Sequence, residues 1–235
     1  MCGRASLTKV EKDLEQHFRA TFYSEDRERY QPLPNYNIAP THRHPVITAD
    51  DPSYLQFFRW GLIPFWAKTP SIGSKMINAR IETVAEKPAF RQAIKKRRCL
   101  VPFDGFYEWQ RREGKKIPYR ITLKDEGIFC TAGIWERWKA PDGELIHSFS
   151  VLTQPPNTLM APIHDRMPAI LRPDQEALWL DQELPTEAVL SMIAPYPDEQ
   201  LKAYTVSSRI NSVRNNDPTL LQPYDHQEGE QGSLF

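Results

Sequence analysis

The chain of 235 residues has only three cysteines, Cys2, Cys99 and Cys130, and no C-x-x-C spacing. That excludes a disulfide framework and a zinc ribbon, and it points to a reducing compartment. No run of about 18 apolar residues is available to span a membrane. The first twenty residues alternate charge with hydrophobe where a signal peptide would carry an apolar core. The expectation is an intracellular, cytoplasmic protein without membrane contact. A Gly-rich phosphate loop and a dinucleotide fingerprint are also missing, so no cofactor is expected. His42 and His44 form an H-x-H pair beside prolines, but with Cys99 they lack the further ligands of a structural zinc site, so no metal is expected either. His17 and His147 fall in periodic segments and read as surface residues of a helix or strand.

What is present is enough apolar residue, 40%, for one sizeable core. Net charge is zero but unevenly spread: residues 1–74 carry 9 basic and 8 acidic groups, residues 75–124 carry 14 and 5, and residues 125–235 carry 7 and 17. The basic middle third interleaves Lys95, Lys96, Arg97, Arg98, Arg111, Arg112, Lys115, Lys116 and Arg120 with Phe103, Phe106, Tyr107 and Trp109. Such a mixture suits a surface that meets phosphates and bases. A solvated hairpin tip around Gly114 is the plainer reading of Arg111 to Lys116.

Thr8 with Glu11, followed by Val10, Leu14 and Phe18, predicts an amphipathic helix over 9–20. Thr83 with Glu86 predicts a second, shorter helix reaching about Ile94, and two late helices fill 173–193. Tyr54 to Trp60, Arg98 to Val101, Phe106 to Trp109, Pro118 to Leu123, Ile128 to Trp135 and Ile146 to Leu152 read as strands with Gly or Asp-Gly punctuation. Hairpin-linked strands without βαβ alternation imply an α+β fold, a single domain over 2–224 with an antiparallel, barrel-like β core flanked by short helices. The tail, 225–235, has the composition of a disordered end.

Met1-Cys2-Gly3-Arg4 would place Cys2 at the N-terminus once the initiator methionine is removed. A processed Cys2 joins a free α-amine, with a pKa of roughly 7.7–8.0, to a thiol on the adjacent carbon. The pair can condense with an aldehyde to an imine and close on it as a five-membered thiazolidine. By position alone, the preferred reading of Cys2 is a small buried residue at the start of a strand, because free cysteines are usually packing residues.

Four segments carry most of the chemistry: Cys2-Gly3-Arg4, Ile77-Asn78-Ala79-Arg80, Gly105-Phe106-Tyr107-Glu108-Trp109 and Ile163-His164-Asp165-Arg166-Met167-Pro168. With Tyr36-Asn37-Ile38-Ala39-Pro40, Arg59-Trp60-Gly61-Leu62-Ile63-Pro64, Val206-Ser207-Ser208 and Asn211-Ser212, the chain resembles the SRAP family, the SOS-response-associated peptidases. The resemblance spans residue 2 to about 224. It implies a sensor and covalent shield of abasic sites in single-stranded DNA, acting in the DNA damage response as a monomer that is cytoplasmic and nucleoid-associated. It implies a thiazolidine between Cys2 and the ring-opened sugar, with lyase- or hydrolase-type activity and removal of Met1 either by autocleavage or by an aminopeptidase. Asn78 would hold the imine-forming geometry, Glu108 would transfer a proton to the opening sugar ring, and His164, oriented by Asp165, would relay the proton of the departing hydroxyl. The resemblance also implies DNA contacts: Arg4, Arg80 and Arg166 to phosphates, Pro40 and Trp66 as a wedge beside the damaged nucleotide. Family members often carry two tryptophans at the wedge, where this chain has Phe65-Trp66. Alternatives of other classes are an N-terminal-nucleophile hydrolase, either a thiol peptidase or glutamine amidotransferase-like, and a plain single-strand-binding module.

Overall fold

The computed structural model describes residues 2–30 and 33–226. The strands in chain order are β1 (Ala5–Leu7), β2 (Thr21–Phe22), β3 (Asn35–Ile38), β4 (Arg43–Thr48), β5 (Asp51–Trp60), β6 (Asn78–Arg80), β7 (Arg98–Phe103) and β8 (Gly105–Arg112). They continue as β9 (Lys115–Leu123), β10 (Phe129–Lys139), β11 (Leu145–Gln154), β12 (Met167–Pro168) and β13 (Leu201–Thr205). Short helices α1 (Glu11–Phe18), α2 (Ser24–Arg29), α3 (Ala93–Lys96), α4 (Pro173–Leu180) and α5 (Thr186–Ser191) flank them.

Strands β11, β10, β7, β4 and β5 run antiparallel in that order, and a parallel contact between β5 and β11, Ser148 opposite Arg59 and Phe149 opposite Trp60, closes the ring. The core is therefore a closed barrel of mixed rather than wholly antiparallel pairing. Closure removes the free edges that an open sheet would expose. Trp60, Phe103, Phe129 and Phe149 are buried in the hydrophobic core, with Trp60 and Phe149 stacked at 6.2 Å between ring centroids. A second sheet, ordered β13-β9-β8-β1-β3, packs into the same core. Asp104 binds it together: its carboxylate accepts from Ser6 Oγ at 2.6 Å and Thr8 Oγ1 at 2.6 Å, and lies 3.3 Å from Arg120 Nη2.

Both expected capping boxes are corrected by this arrangement. Thr8 spends its hydroxyl on Asp104, and α1 starts from Val10 with no side-chain cap. Thr83 to Gln92 form successive turns, and helix appears only at Ala93–Lys96. Pro88 explains this, having no N–H to donate and disfavouring helical geometry in the residue before it. The six predicted strands are all present, and β8 and β9 join through the two-residue turn Glu113-Gly114, at φ of 52° and 79°. Strands β1, β2, β3, β4, β6, β12 and β13 were not expected. His147 is half-buried and stacked on Phe58 at 4.9 Å, not a surface residue, whereas His17 is exposed. His44 is buried with Nε2 2.6 Å from Pro102 O, a core histidine. Among the described residues no group of three or more His, Cys, Asp or Glu side chains could hold a metal, and no helix is long and apolar enough to cross a membrane. Of the expected disordered tail, 227–235 lies outside the described residues.

Candidate functional site

Cys2-Gly3-Arg4 leads into β1, which is hydrogen-bonded between β3 and β8 with Ala5 opposite both Ile38 and Phe106. The Tyr107 amide donates to Arg4 O at 2.9 Å, which fixes Cys2 and Arg4 beside the Glu108 segment. On the barrel side, Ile77 O accepts from Trp60 Nε1 at 3.0 Å and from the Val151 amide at 3.1 Å. That anchors β6, paired parallel to β11, and presents Asn78 to the same place. Asn78 Nδ2 donates to Cys2 O at 2.7 Å. Asn78 Oδ1 is buried and accepts from no described residue, so an acceptor is ready beside Cys2.

Cys2 is buried, and desolvation drives its thiol well above the ordinary cysteine range, with Glu108 adding to the rise. Sγ lies 4.0 Å from Arg4 O. The resting sulfur is therefore a protonated thiol. Glu108, 2% exposed, is pushed up to about 7 chiefly by burial. A carboxyl raised into that range can both give and take a proton near neutral pH. His164 Nε2 lies 3.8 Å from Glu108 Oε2. Burial lowers the His164 pKa, favouring the neutral ring. Its Nδ1 accepts from the Arg166 amide at 3.0 Å, which assigns the ring proton to Nε2, on the Glu108 side. Asp165 Oδ1 also lies 3.0 Å from Nδ1, with its side chain 82% exposed, and acts against the burial that lowers the ring pKa.

Glu108 and His164 line a cleft of about 450 Å³ with Arg4, Trp109, Arg111, Lys116 and Asn211, and Cys2 and Asn78 stand outside that lining. A larger depression, about 630 Å³ and lined in part by Phe65, Lys96, Arg97 and Trp135, holds none of the expected site residues. The Arg4 guanidinium donates to Asn37 Oδ1 and Ile210 O, both at 2.6 Å, and sits 6.0 Å from the centroid of the Trp109 ring. Trp109 Nε1 in turn donates to Asn211 Oδ1 at 2.8 Å.

The structure thus brings Cys2, Asn78, Glu108, His164 and Arg4 together. Arg80 ends β6 exposed. Arg166 is buried, its guanidinium engaged by Glu82 and by Thr153 O. Trp66 and its neighbour Phe65 are exposed, 48% and 59%, and with Pro40 they lie outside the cleft lining. Gly61, at φ +119°, sets the course of their loop: a Cβ there would stand 2.6 Å from Gly73 O. Sequence reasoning missed two supporting residues. Glu82 grips Arg166, and Gln110 Nε2 donates to Pro162 O at 3.0 Å beside the His164 loop.

The sequence profile of the SOS response associated peptidase (SRAP) family matches residues 1–213. Abasic site processing protein YoqW of Bacillus subtilis (strain 168) is 41% identical over 227 residues, 95% of this chain and 100% of that protein. Abasic site processing protein HMCES of Xenopus tropicalis is 32% identical over 264 residues, 93% of this chain and 77% of that protein. A crystal structure of a protein from Bacteroides thetaiotaomicron superposes with a TM-score of 0.88 at 33% identity, covering 95% of this chain and 100% of that one. By profile, by relatives and by fold, this chain belongs to the SRAP family.

Proposed function

We propose that this protein processes abasic sites in single-stranded DNA, capturing the sugar aldehyde on Cys2 after removal of Met1. The observation that carries the reading is the convergence of Cys2, Asn78, Glu108 and His164 beside a cleft flanked by arginine. The names of the relatives, abasic site processing proteins, support it.

The thiol is protonated at rest, so the α-amine attacks first. It adds to the aldehyde carbon of the ring-opened sugar to give a carbinolamine. Glu108 supplies the proton that lets the ring oxygen leave when the sugar opens. The carbinolamine hydroxyl departs as water with the proton that its nitrogen gives up, the neutral His164 taking one proton as it gives the other so that the ring is unchanged and an imine is left. The thiol then adds across the C=N bond, its proton passing to nitrogen, and closes the thiazolidine. The net change is aldehyde plus aminothiol to thiazolidine plus one water. Asn78 holds Cys2 through its carbonyl and offers Oδ1 to the amine or to a sugar hydroxyl. Arg4, Arg80 and Arg166 are assigned to phosphates, and Pro40 with Trp66 to the wedge, on the match to family positions. Removal of Met1 by the same thiol remains part of this reading.

The test is a denaturing gel after incubation with an oligonucleotide bearing one abasic site. A heat-stable shifted band that requires Cys2 is expected. Its absence with protein whose first residue is verified as Cys2 would overturn the reading.

A further inference from the structure

We propose that Arg111 and Lys116, facing each other across the β8–β9 hairpin, form a phosphate grip that holds the single strand on one flank of the lesion. The proposal rests on the reading of the adjacent cleft as the abasic-site pocket.

Arg111 pairs directly with Lys116 in the antiparallel register, and both side chains are exposed and line the cleft that also holds Arg4, Glu108 and His164. Like charges placed opposite each other disfavour a strand pair. Among the described residues neither cation forms an ion pair. The Glu113-Gly114 turn has positive φ at both residues, the geometry of a tight two-residue hairpin, so the register cannot slip to separate them. An anion held between the two charges would relieve the repulsion. The next rung on the same face is Trp109 opposite Pro118, with the Arg4 guanidinium near its ring. An aromatic rung followed by a cationic rung is the alternation that single-strand binders use for base and phosphate. An acidic protein segment would also satisfy the charge, but continuity with the cleft favours the nucleic acid strand. On the other face of the hairpin, Arg112 lines a separate depression with Tyr119 and Tyr224, and so provides an internal control.

Fluorescence anisotropy with oligonucleotides carrying a tetrahydrofuran analogue, which has no aldehyde, isolates binding from crosslinking. The analogue is placed centrally, near the 5′ end or near the 3′ end. For Arg111→Ala/Lys116→Ala, affinity for the central analogue should fall roughly tenfold at low salt. The logarithmic salt slope should drop by about 1.4, two contacts at about 0.7 each. The loss should vanish for one of the two end-placed analogues, because the grip acts on one flank. Arg111→Lys/Lys116→Arg should restore binding, and the charge-matched Arg112→Ala/Lys115→Ala variant should lose clearly less. An unchanged salt slope, an equal loss on both end-placed analogues, or an equal loss in the control pair would overturn the proposal. The parent reading is judged separately, by whether the wild-type protein crosslinks an aldehyde-bearing oligonucleotide; if it does while the Arg111/Lys116 variant binds normally, only the grip falls.

Discussion

The Arg166 guanidinium meets the Glu82 carboxylate at two points, Nη1 to Oε1 at 2.6 Å and Nη2 to Oε2 at 2.9 Å. Glu82 follows the strand that presents Asn78, and the Arg166 amide holds His164 Nδ1. The pair therefore fastens the histidine loop to the asparagine strand. Deleting a buried side chain together with its packing and hydrogen bonds is costly, whereas altering a half-exposed partner costs less because water takes up part of its role. Arg166→Ala should cost about 3 kcal/mol in urea unfolding. Glu82→Gln should cost less, about 1 kcal/mol, because Glu82 is 44% exposed and water can replace part of what it gives. Arg80→Ala, at an exposed strand end, should stay within about 0.5 kcal/mol of wild type. Equal losses for Arg80→Ala and Arg166→Ala would deny the pair this role.

Much of the barrel was legible because β5, β7, β10 and β11 are long apolar strands whose burial writes itself into composition. The β8–β9 turn was legible from Gly114 and the charges around it. Strand β6 and the parallel β5–β11 closure were not, because three residues carry no periodicity and parallel pairing joins segments far apart in the chain. The failed helix after Thr83 shows the limit of local signals, with Pro88 overruling a capping pattern. At the site, the segments holding Cys2, Asn78, Glu108 and His164 were identified by family resemblance, but neither spacing nor periodicity places Glu108 beside His164. Glu82 went unseen because a glutamate after a strand reads as solvated until the fold brings Arg166 to it.

Stability should respond to pH through two buried groups with opposite signs. Burial lowers His44 to about 4, so the unfolded chain takes up its proton first and stability is lost as pH falls from about 6.5 towards 4. Burial raises Glu108 from 4.5 to about 7, so its contribution is present below pH 4.5 and is lost as pH rises towards 7. Between about pH 4.5 and 6.5 the two trends oppose each other. Glu108→Gln removes one of them, and its urea midpoint should then fall more steeply than wild type as pH is lowered through that window. Parallel profiles for the two proteins would contradict the raised Glu108 pKa.

The aminothiol mechanism needs a free amine beside the thiol. Protein retaining Met1, or bearing one extra residue before Cys2, should form no stable thiazolidine although the sulfur is unchanged. Cys2→Ser, prepared with Ser verified as its first residue, keeps the amine and should give an imine that borohydride traps on a gel, without a stable band in its absence. Crosslinking by an N-terminally blocked protein at the native rate would sink the mechanism.

Proton transfer and DNA binding fall to different residues, and variants should separate them. Glu108, with a pKa near 7, and His164, neutral with its proton on Nε2, sit 3.8 Å apart at the buried end of the cleft. Glu108→Gln keeps the shape and removes the exchangeable proton; His164→Ala removes the ring that relays a proton to the departing carbinolamine hydroxyl. Each should slow crosslinking by about 10²–10⁴ at saturating protein, the usual contribution of a general acid or base. Affinity for an undamaged single strand should change less than twofold, because the phosphates are assigned to arginines. Reversal of a formed crosslink should slow as well, since the same groups serve both directions. A variant that loses affinity in step with its rate would identify that residue as a binding or folding element, and its proton-transfer role would have to be withdrawn.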